Sequence, residues 1–434
     1  MRGSSAAELA ADIERRVTDS ILQPGDRLPP VRVLAAELRL APNTVAAAYR
    51  RLGERGIVVG RGRSGTFVAN RPPLAIATEL AVPEDLWDLS TGNPDPALLP
   101  DLWAVARQLH GATTLYGGRS VDETLTEEGA RLLSLDGVPS NHLTVVSGAL
   151  DGIERVLQAH VRRGDRVAIE DPAYAPVIDL IGALGLVAVP VTIDDEGPLP
   201  ESLGDAVASG VSALIVTPRA QNPFGSAIST DRAASLRSVL AGSPQVLVIE
   251  DDHAAAVAGA AMHRISADRE HWATVRSTAK AYGPDLRLAL LAGDATTVRR
   301  VEGRQRLGPG WVSHLLQQLS ARMMSDPAVN RVVAQAANSY ASRRGAMLAA
   351  LHERGFEAHG TSGLNVWVPV PDETATVQAM EKQGIAVRSG ARFRIRTEPA
   401  VRVTVATLDR AQTDQVANAL HAAVTELGPG TRSG

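Results

Sequence analysis

The stretch "ATVRSTAKAYGPDLRLALLAG", Ala273 to Gly293, holds one of only two lysines in a chain of 434 residues that carries 44 Lys plus Arg. Arginine serves well for solvated charge, fork-like pairing and anion contacts, so a lysine that survives in such a chain invites a task that guanidinium cannot perform. Attack on an aldehyde to give a Schiff base is one. The competing reading of Lys280 is a solvated surface charge. Lys382, in the polar helical stretch "ATVQAMEKQG", fits that second reading. The neighbours of Lys280 therefore decide both the chemistry and the fold.

Around it, strand-like apolar runs "HLTVVSG", "DRVAIED", "LVAVPVT", "SALIVTP", "QVLVIED" and "LALLAG" alternate with helical stretches such as "ALDGIERVLQAHVRRG" and "STDRAASLRSVLAG". Alternation of this kind predicts an α/β domain, with a mostly parallel sheet covered on both faces by helices and ligands at the strand C-terminal ends. No internal repeat or low-complexity block interrupts it.

The strand ends carry chemistry. "VVSGALDG" puts Ser147, Gly148, Ala149 and Leu150 at a strand-to-helix junction, where backbone amides and the helix dipole favour phosphate. "IEDDH" ends another strand with Asp251, Asp252 and His253, and "TPRAQNPFG" ends a third with Asn222 in a turn. "VRSTAKAYGPDLR" brings Ser277, Lys280 and Arg287 together. Taken singly, Asp251 reads equally as a helix cap, Asn222 as a turn residue and Arg287 as a surface ion-pair group. In order, they are the parts that pyridoxal phosphate requires: a lysine for the aldehyde, a carboxylate for the pyridine nitrogen, a donor to the ring hydroxyl and a phosphate cup.

Composition limits the alternatives. At 44% hydrophobic residues the chain can bury more than one core, and its length suggests two or three domains. No apolar run approaches the roughly 20 residues needed to span a bilayer, and the N-terminal "MRGSSAAELAADIERR" is charged where a signal peptide would be apolar. A cytoplasmic protein without membrane contact is expected. The absence of cysteine excludes disulfides, thiolate catalysis and cysteine-ligated metals. The ten histidines show no HxH or HExxH spacing, so no metal site is expected. Net charge is -4 overall, yet residues 1–70 carry 11 Arg against 7 Asp plus Glu, a net of +4, which leaves -8 for the remainder. A basic head on an acidic body predicts that the head alone meets a polyanion.

In that head, Leu9, Ile13, Val17 and Ile21 recur at helical spacing and predict one buried stripe. A helix from about Val31 to Leu38, a tight turn through 39–42 and a second helix opened by Asn43 and Thr44 as cap candidates make a helix-turn-helix. "IVVGRGRSGTFV" then reads as two short strands about a glycine turn, a wing. Gly60, Gly62 and Gly65 match G-x-G-x-x-G, but no helix opens after the third glycine, so a dinucleotide site is rejected. Arg61 and Arg63 suit phosphate or minor-groove contacts better. Residues 70–86, with Pro72, Pro73 and Pro83, read as a semi-stiff linker.

The head, with "LPPVRVLAAEL", "NTVAAAYRRL" and "GRSGTFV" in order, resembles the winged helix-turn-helix of GntR-type regulators. The body from "LSTGNPDP" to "VRVTVATLD" resembles fold-type I aminotransferases, and the combination resembles the MocR or GabR subgroup. The resemblance implies a DNA-binding domain over 1–69, a linker over 70–86 and an aminotransferase-like effector domain over 87–434 with a smaller C-terminal α+β subdomain. It assigns operator contacts on double-stranded DNA to Arg32, Asn43, Thr44, Tyr49, Arg61 and Arg63, although helix packing competes for Tyr49. It further implies a Schiff base at Lys280, Asp251 on the pyridine nitrogen with Asp252 as fallback, and Asn222 on the ring oxygen. Ser277, Arg287 and the amides of Gly148, Ala149 and Leu150 would hold the phosphate, with Tyr116 reaching in from the partner of a homodimer. Tyr174 would stack on the ring, His253 would face the ring oxygen where the family often has tyrosine, and Arg402 would bind an effector carboxylate.

Two further departures stand out: Pro42 replaces a common arginine before the Asn-Thr pair, and Ala279 replaces a hydroxyl residue before the lysine. The expected function is a transcriptional regulator that senses pyridoxal phosphate, or an amine linked to it, as its small-molecule effector. Several motifs, among them "STGNPDPALLPDL" and "HWATVRSTAKAYGPDLRLAL", resemble those of a member of that subgroup that acts in vitamin B6 salvage, and the resemblance implies that process as the regulated one. The alternative is an active aminotransferase that has kept a DNA-binding head; the intact wing and recognition helix favour regulation over turnover.

Overall fold

A computed structural model describes residues 1, 5–18, 21–54, 57–60, 65–69, 82–83, 85–110 and 114–426. The chain divides into two compact units. Among the described residues no helix is long and apolar enough to cross a membrane, and no cluster of His, Cys, Asp or Glu could hold a metal ion.

In the head, α1 (Ala6–Thr18), α2 (Val31–Leu38) and α3 (Pro42–Glu54) precede an antiparallel ribbon of β1 (Val58–Gly60) and β2 (Thr66–Val68), in which Val58 pairs with Val68. Leu9 and Ile13 of α1, Leu34 of α2, Val45 and Leu52 of α3 and Val68 of β2 are wholly or almost wholly buried in one core. The predicted stripe continues as far as Val17, which packs against that core; Ile21 lies beyond the helix and is 62% exposed. α2 ends on Arg39 in the left-handed conformation (φ 54), its amide bonding back to the Ala35 and Ala36 carbonyls. α3 opens one residue earlier than the caps suggested. Pro42 takes the first helical position, where its missing N–H costs nothing, and the Thr44 amide bonds the Ala41 carbonyl.

The body begins with β3 (Trp87–Asp88). Its central sheet runs β4 (Leu143–Val146), β5 (Arg166–Asp171), β6 (Val187–Asp194), β7 (Gly197–Pro198), β8 (Ala213–Val216), β9 (Leu247–Asp252), β10 (Trp272–Ser277) and β11 (Ala289–Gly293) in chain order, and β4-β11-β10-β9-β8-β5-β6-β7 in space. β8, β9 and β10 are parallel, whereas β11 is antiparallel to both β10 and β4. The sheet is therefore mixed and mostly parallel, as expected, with the antiparallel β11 near one edge. β10 was not among the apolar runs because Thr274 and Arg276 interrupt it. In register they stand beside Glu250 and Asp252 of β9, and both are buried in polar pairs: the Thr274 hydroxyl donates to Glu250 at 2.8 Å and Arg276 Nε to Asp252 at 2.7 Å.

The C-terminal subdomain adds β12 (Asn365–Pro369), β13 (Ile385–Ala386), β14 (Arg388–Ser389) and β15 (Ala400–Thr404). β12, β15 and β14 form an antiparallel sheet, while β13 pairs in parallel with β3 and so ties the first residues of the body to its end. Helices Pro327–His352, Glu373–Lys382 and Arg410–Glu426 cover this sheet, and Val366, Val401, Val403, Met347 and Leu420 are wholly buried between them. Burial of each such side chain stabilises by about 1.5–3 kcal/mol.

Candidate functional site

Strand alternation sorts the two adjacent aspartates. Successive side chains on β9 point to opposite faces, so Asp252 shares a face with Arg276, and Asp251 takes the other. Asp252 is clamped by Arg219 (Nε to Oδ1, 2.9 Å) and Arg276, and both guanidiniums also reach Asp136. Burial alone would raise its carboxyl, but the two arginines outweigh that and hold it below the usual carboxylate range. Asp251 has no such partner. Its Oδ1 is buried without a hydrogen bond, and burial, reinforced by the charge of Asp252, pushes its carboxyl up to about 7. A buried, unsatisfied carboxylate oxygen is costly, and a protonated ring nitrogen is the kind of donor that would satisfy it.

Lys280 lies one residue into the short helix Ala279–Tyr282 that follows β10, and its Nζ donates to the Gly92 carbonyl at 2.5 Å. Burial and then the nearby Arg402 lower its ammonium to about 8, so a useful fraction of the amine is neutral near physiological pH, as nucleophilic attack requires. His253, at the end of β9, sets Nε2 2.8 Å from the Ala220 carbonyl. A carbonyl only accepts, so this nitrogen carries the proton and Nδ1 is left as an acceptor. Burial, then Lys280, lower the imidazole to about 4, so the ring is neutral.

The Asn222 amide oxygen accepts from Arg402 Nη1 at 2.9 Å, which leaves its NH2 end to donate elsewhere. Arg402 is 3% exposed, also donates to the Ser90 carbonyl, and lies 4.9 Å over the Phe393 ring. A second buried carboxyl, Glu170 of β5, accepts from the Thr217 amide and the Gln221 side chain, and burial pushes it up to about 8. Neither it nor the Arg219–Asp252–Arg276–Asp136 network was anticipated; only the acidic run "IEDD" and the two arginines inside apolar runs hinted at them.

The residues expected to hold a phosphate gather about Gly148, which caps the helix Ala149–His160 at φ 101. A Cβ there would stand 2.9 Å from Arg287 Nη2. Arg287 itself is left-handed (φ 45) and faces the Ser147 carbonyl at 3.5 Å. The positive φ demands glycine here, and a methyl group would in addition push the Arg287 guanidinium aside. The first amides of that helix, at Ala149 and Leu150, have no carbonyl ahead of them within it. Ser277 sits at the end of β10, its hydroxyl accepting from the Ala279 amide at 3.2 Å, and the neighbouring Thr278 hydroxyl is spent on the Leu288 carbonyl.

The other expected residues differ in exposure. Tyr116 is 93% exposed, edge-on to Trp311 at 5.5 Å, and Tyr174 is 41% exposed after β5. In the head, Arg32 and Asn43 are exposed and Thr44 is half-buried. Tyr49 is a correction to the expected DNA contacts: it is 7% exposed, and its hydroxyl donates to the Pro29 carbonyl at 2.7 Å. Burial, then Glu37, push that phenol up to about 12. Packing has claimed it. Arg61 and Arg63 lie outside the described residues.

With a helix-turn-helix in front of this mixed α/β body, the chain belongs to the MocR-type branch of bacterial regulators: residues 5–68 match the family "Bacterial regulatory proteins, gntR family" and residues 84–420 match "Aminotransferase class I and II". Over 97% of its length it is 39% identical to the vitamin B6 salvage pathway transcriptional repressor PtsJ of Salmonella typhimurium, 99% of which is covered. It is 30% identical to the pyridoxine biosynthesis transcriptional regulator PdxR of Corynebacterium glutamicum over 57% of this chain and 56% of that one. In fold, the body matches a multiple substrate aminotransferase from Thermococcus profundus (TM-score 0.73, 19% identity, 82% of this chain and 96% of that one). A kynurenine aminotransferase from Pyrococcus horikoshii matches similarly (TM-score 0.72, 20% identity, 80% and 92%).

Proposed function

We propose that this transcriptional regulator binds pyridoxal 5'-phosphate in its aminotransferase-like body and reports the cofactor, or an amine linked to it, to DNA held by the head. The observation that carries the reading is the orphaned Asp251 Oδ1, a buried acceptor opposite no protein donor. When bound, the cofactor supplies an aldehyde for covalent attachment and a ring that withdraws electrons. Lys280 provides the amine, and its lowered ammonium eases attachment. Asp251 accepts from the ring nitrogen. Asn222, oriented by Arg402, donates toward the ring oxygen, while His253 offers that region only an acceptor. Gly148, the amides of Ala149 and Leu150, Ser277 and Arg287 hold the phosphate, and Arg402 binds an effector carboxylate.

The body dimerises, and the exposed Tyr116 completes the partner's cup. Operator contacts come from Arg32, Asn43, Thr44, Arg61 and Arg63. Likeness to the two vitamin B6 regulators supports salvage or synthesis of that vitamin as the controlled process. A neutral His253 and the absent hydroxyl at Ala279 favour sensing over rapid transamination. Adding pyridoxal phosphate to purified protein should raise a visible absorbance band, and borohydride should fix the label at Lys280. A spectrum that stays that of free cofactor, with no labelled lysine, would refute the reading.

A further inference from the structure

On the Arg276 face of β10, away from Asp251, a cavity of about 330 Å³ lies behind the short helix Ala279–Tyr282 that carries Lys280. Its walls are mostly apolar, from Leu132 and Leu135 of the helix Glu123–Leu135 to Ala256, Ala281, Leu290 and Met324. Of the residues expected to hold the cofactor, Ser277 alone borders it. Two arginines reach the wall, but both are fully engaged. Arg219 donates to Asp136, Asp252 and the Ala260 carbonyl. Arg276 donates to Asp136, Asp252, the Leu132 carbonyl and Met262 Sδ. Two guanidiniums thus face two carboxylates, and the group is neutral as a whole. The Thr278 hydroxyl is likewise taken by the Leu288 carbonyl. Tyr282 differs. It lines the cavity, is 5% exposed, and its hydroxyl has no hydrogen-bond partner among the described residues. Burial pushes that phenol up to about 12, so it keeps its proton and can donate.

We propose that this cavity is a second ligand site, for an uncharged and largely apolar small molecule whose one hydrogen-bond acceptor is set against Tyr282. A buried donor without a partner is costly, and an acceptor on the ligand satisfies it. The volume suits a ring with substituents, since about 150 Å³ already holds benzene. A carboxylate would find no free cation there: it would lose its hydration and meet Asp136 with both arginines already engaged. An occupant packs against Ala281 and Tyr282, on the element that positions the Lys280 amine. The site is separate from the cofactor's and stands without it.

The test is ligand-detected NMR titration of the full-length protein, with and without saturating pyridoxal phosphate, using benzamide, benzoate and toluene as probes. Benzamide should bind at least about tenfold more tightly than benzoate, because the charged group is desolvated without a counter-ion. Tyr282→Phe should weaken benzamide by roughly three- to tenfold, the margin of one neutral hydrogen bond, and leave toluene unchanged. Thermal unfolding checks that this variant folds as its parent does. Ala256→Trp, at an exposed point on the rim, should block all three probes. Benzoate binding as tightly as benzamide, an equal loss of benzamide and toluene in Tyr282→Phe, or no binding of any probe would each overturn the proposal, as would displacement of benzamide by pyridoxal phosphate. Failure of the cofactor to attach at Lys280 would sink the cofactor reading alone, since the benzamide preference is also measured without it.

Discussion

Asp251→Asn should stabilise the cofactor-free protein while spoiling it for its ligand. The unfolded carboxyl titrates at 3.8 and the folded one at about 7, so ionising Asp251 costs folding free energy. The sign follows from linkage: a raised carboxyl contributes no penalty below the unfolded value, loses stability as pH rises from about 4 to 7, and carries the full penalty above. A shift of about three units at about 1.36 kcal/mol each sets a ceiling near 4 kcal/mol at pH 8, and only about 1–2 kcal/mol of that at pH 5. Asparagine keeps the shape but brings an amide that also wants a partner, so a gain of about 1–3 kcal/mol at pH 8 is expected. Urea unfolding of both proteins, stripped of cofactor, at pH 5 and pH 8 measures it. Saturating pyridoxal phosphate should stabilise the unaltered protein and have little effect on the variant. If Asp251→Asn were no more stable than its parent at pH 8, or its advantage did not shrink at pH 5, the picture of an unsatisfied carboxylate awaiting a donor would be wrong.

Gly148→Ala should weaken cofactor binding by tenfold or more on the order of the charge-assisted contacts displaced, because a methyl group would meet Arg287 at 2.9 Å and strain a φ of 101; absorbance titration reads this. Asp252→Ala should destabilise by about 3–5 kcal/mol, since it strands two buried guanidiniums, which chemical unfolding will detect; an effect under 1 kcal/mol would count against the clamp. Operator affinity should fall steeply with salt, and Arg32→Ala should reduce both affinity and the salt slope, whereas Tyr49→Phe should change stability more than DNA binding, as fluorescence anisotropy can separate.

The alternation of strands and helices and the residues at strand ends were readable because buried parallel strands print nearly continuous apolar runs. β10 escaped for the converse reason: Thr274 and Arg276 are polar by type yet buried against Glu250 and Asp252, pairings that become visible only once β9 and β10 lie side by side. The choice between Asp251 and Asp252 was likewise open in the sequence. What sets the two apart is the face each side chain takes and the two arginines that occupy one face, neither of which the sequence shows. Tyr49 read as either a DNA contact or a packing residue, and the Pro29 carbonyl, twenty positions away, decides it.

The most direct test of the central claim is operator affinity of the full-length protein, measured with and without saturating pyridoxal phosphate, for the unaltered chain and for Lys280→Ala. A ligand that shifts a regulator must bind its two states unequally, and typical couplings correspond to a change of roughly 5- to 150-fold. The account predicts a shift of that size in the unaltered protein, and a Lys280→Ala variant that binds DNA as the cofactor-free parent does but no longer responds. Operator affinity indifferent to the cofactor, or a variant that responds as fully as its parent, would contradict it.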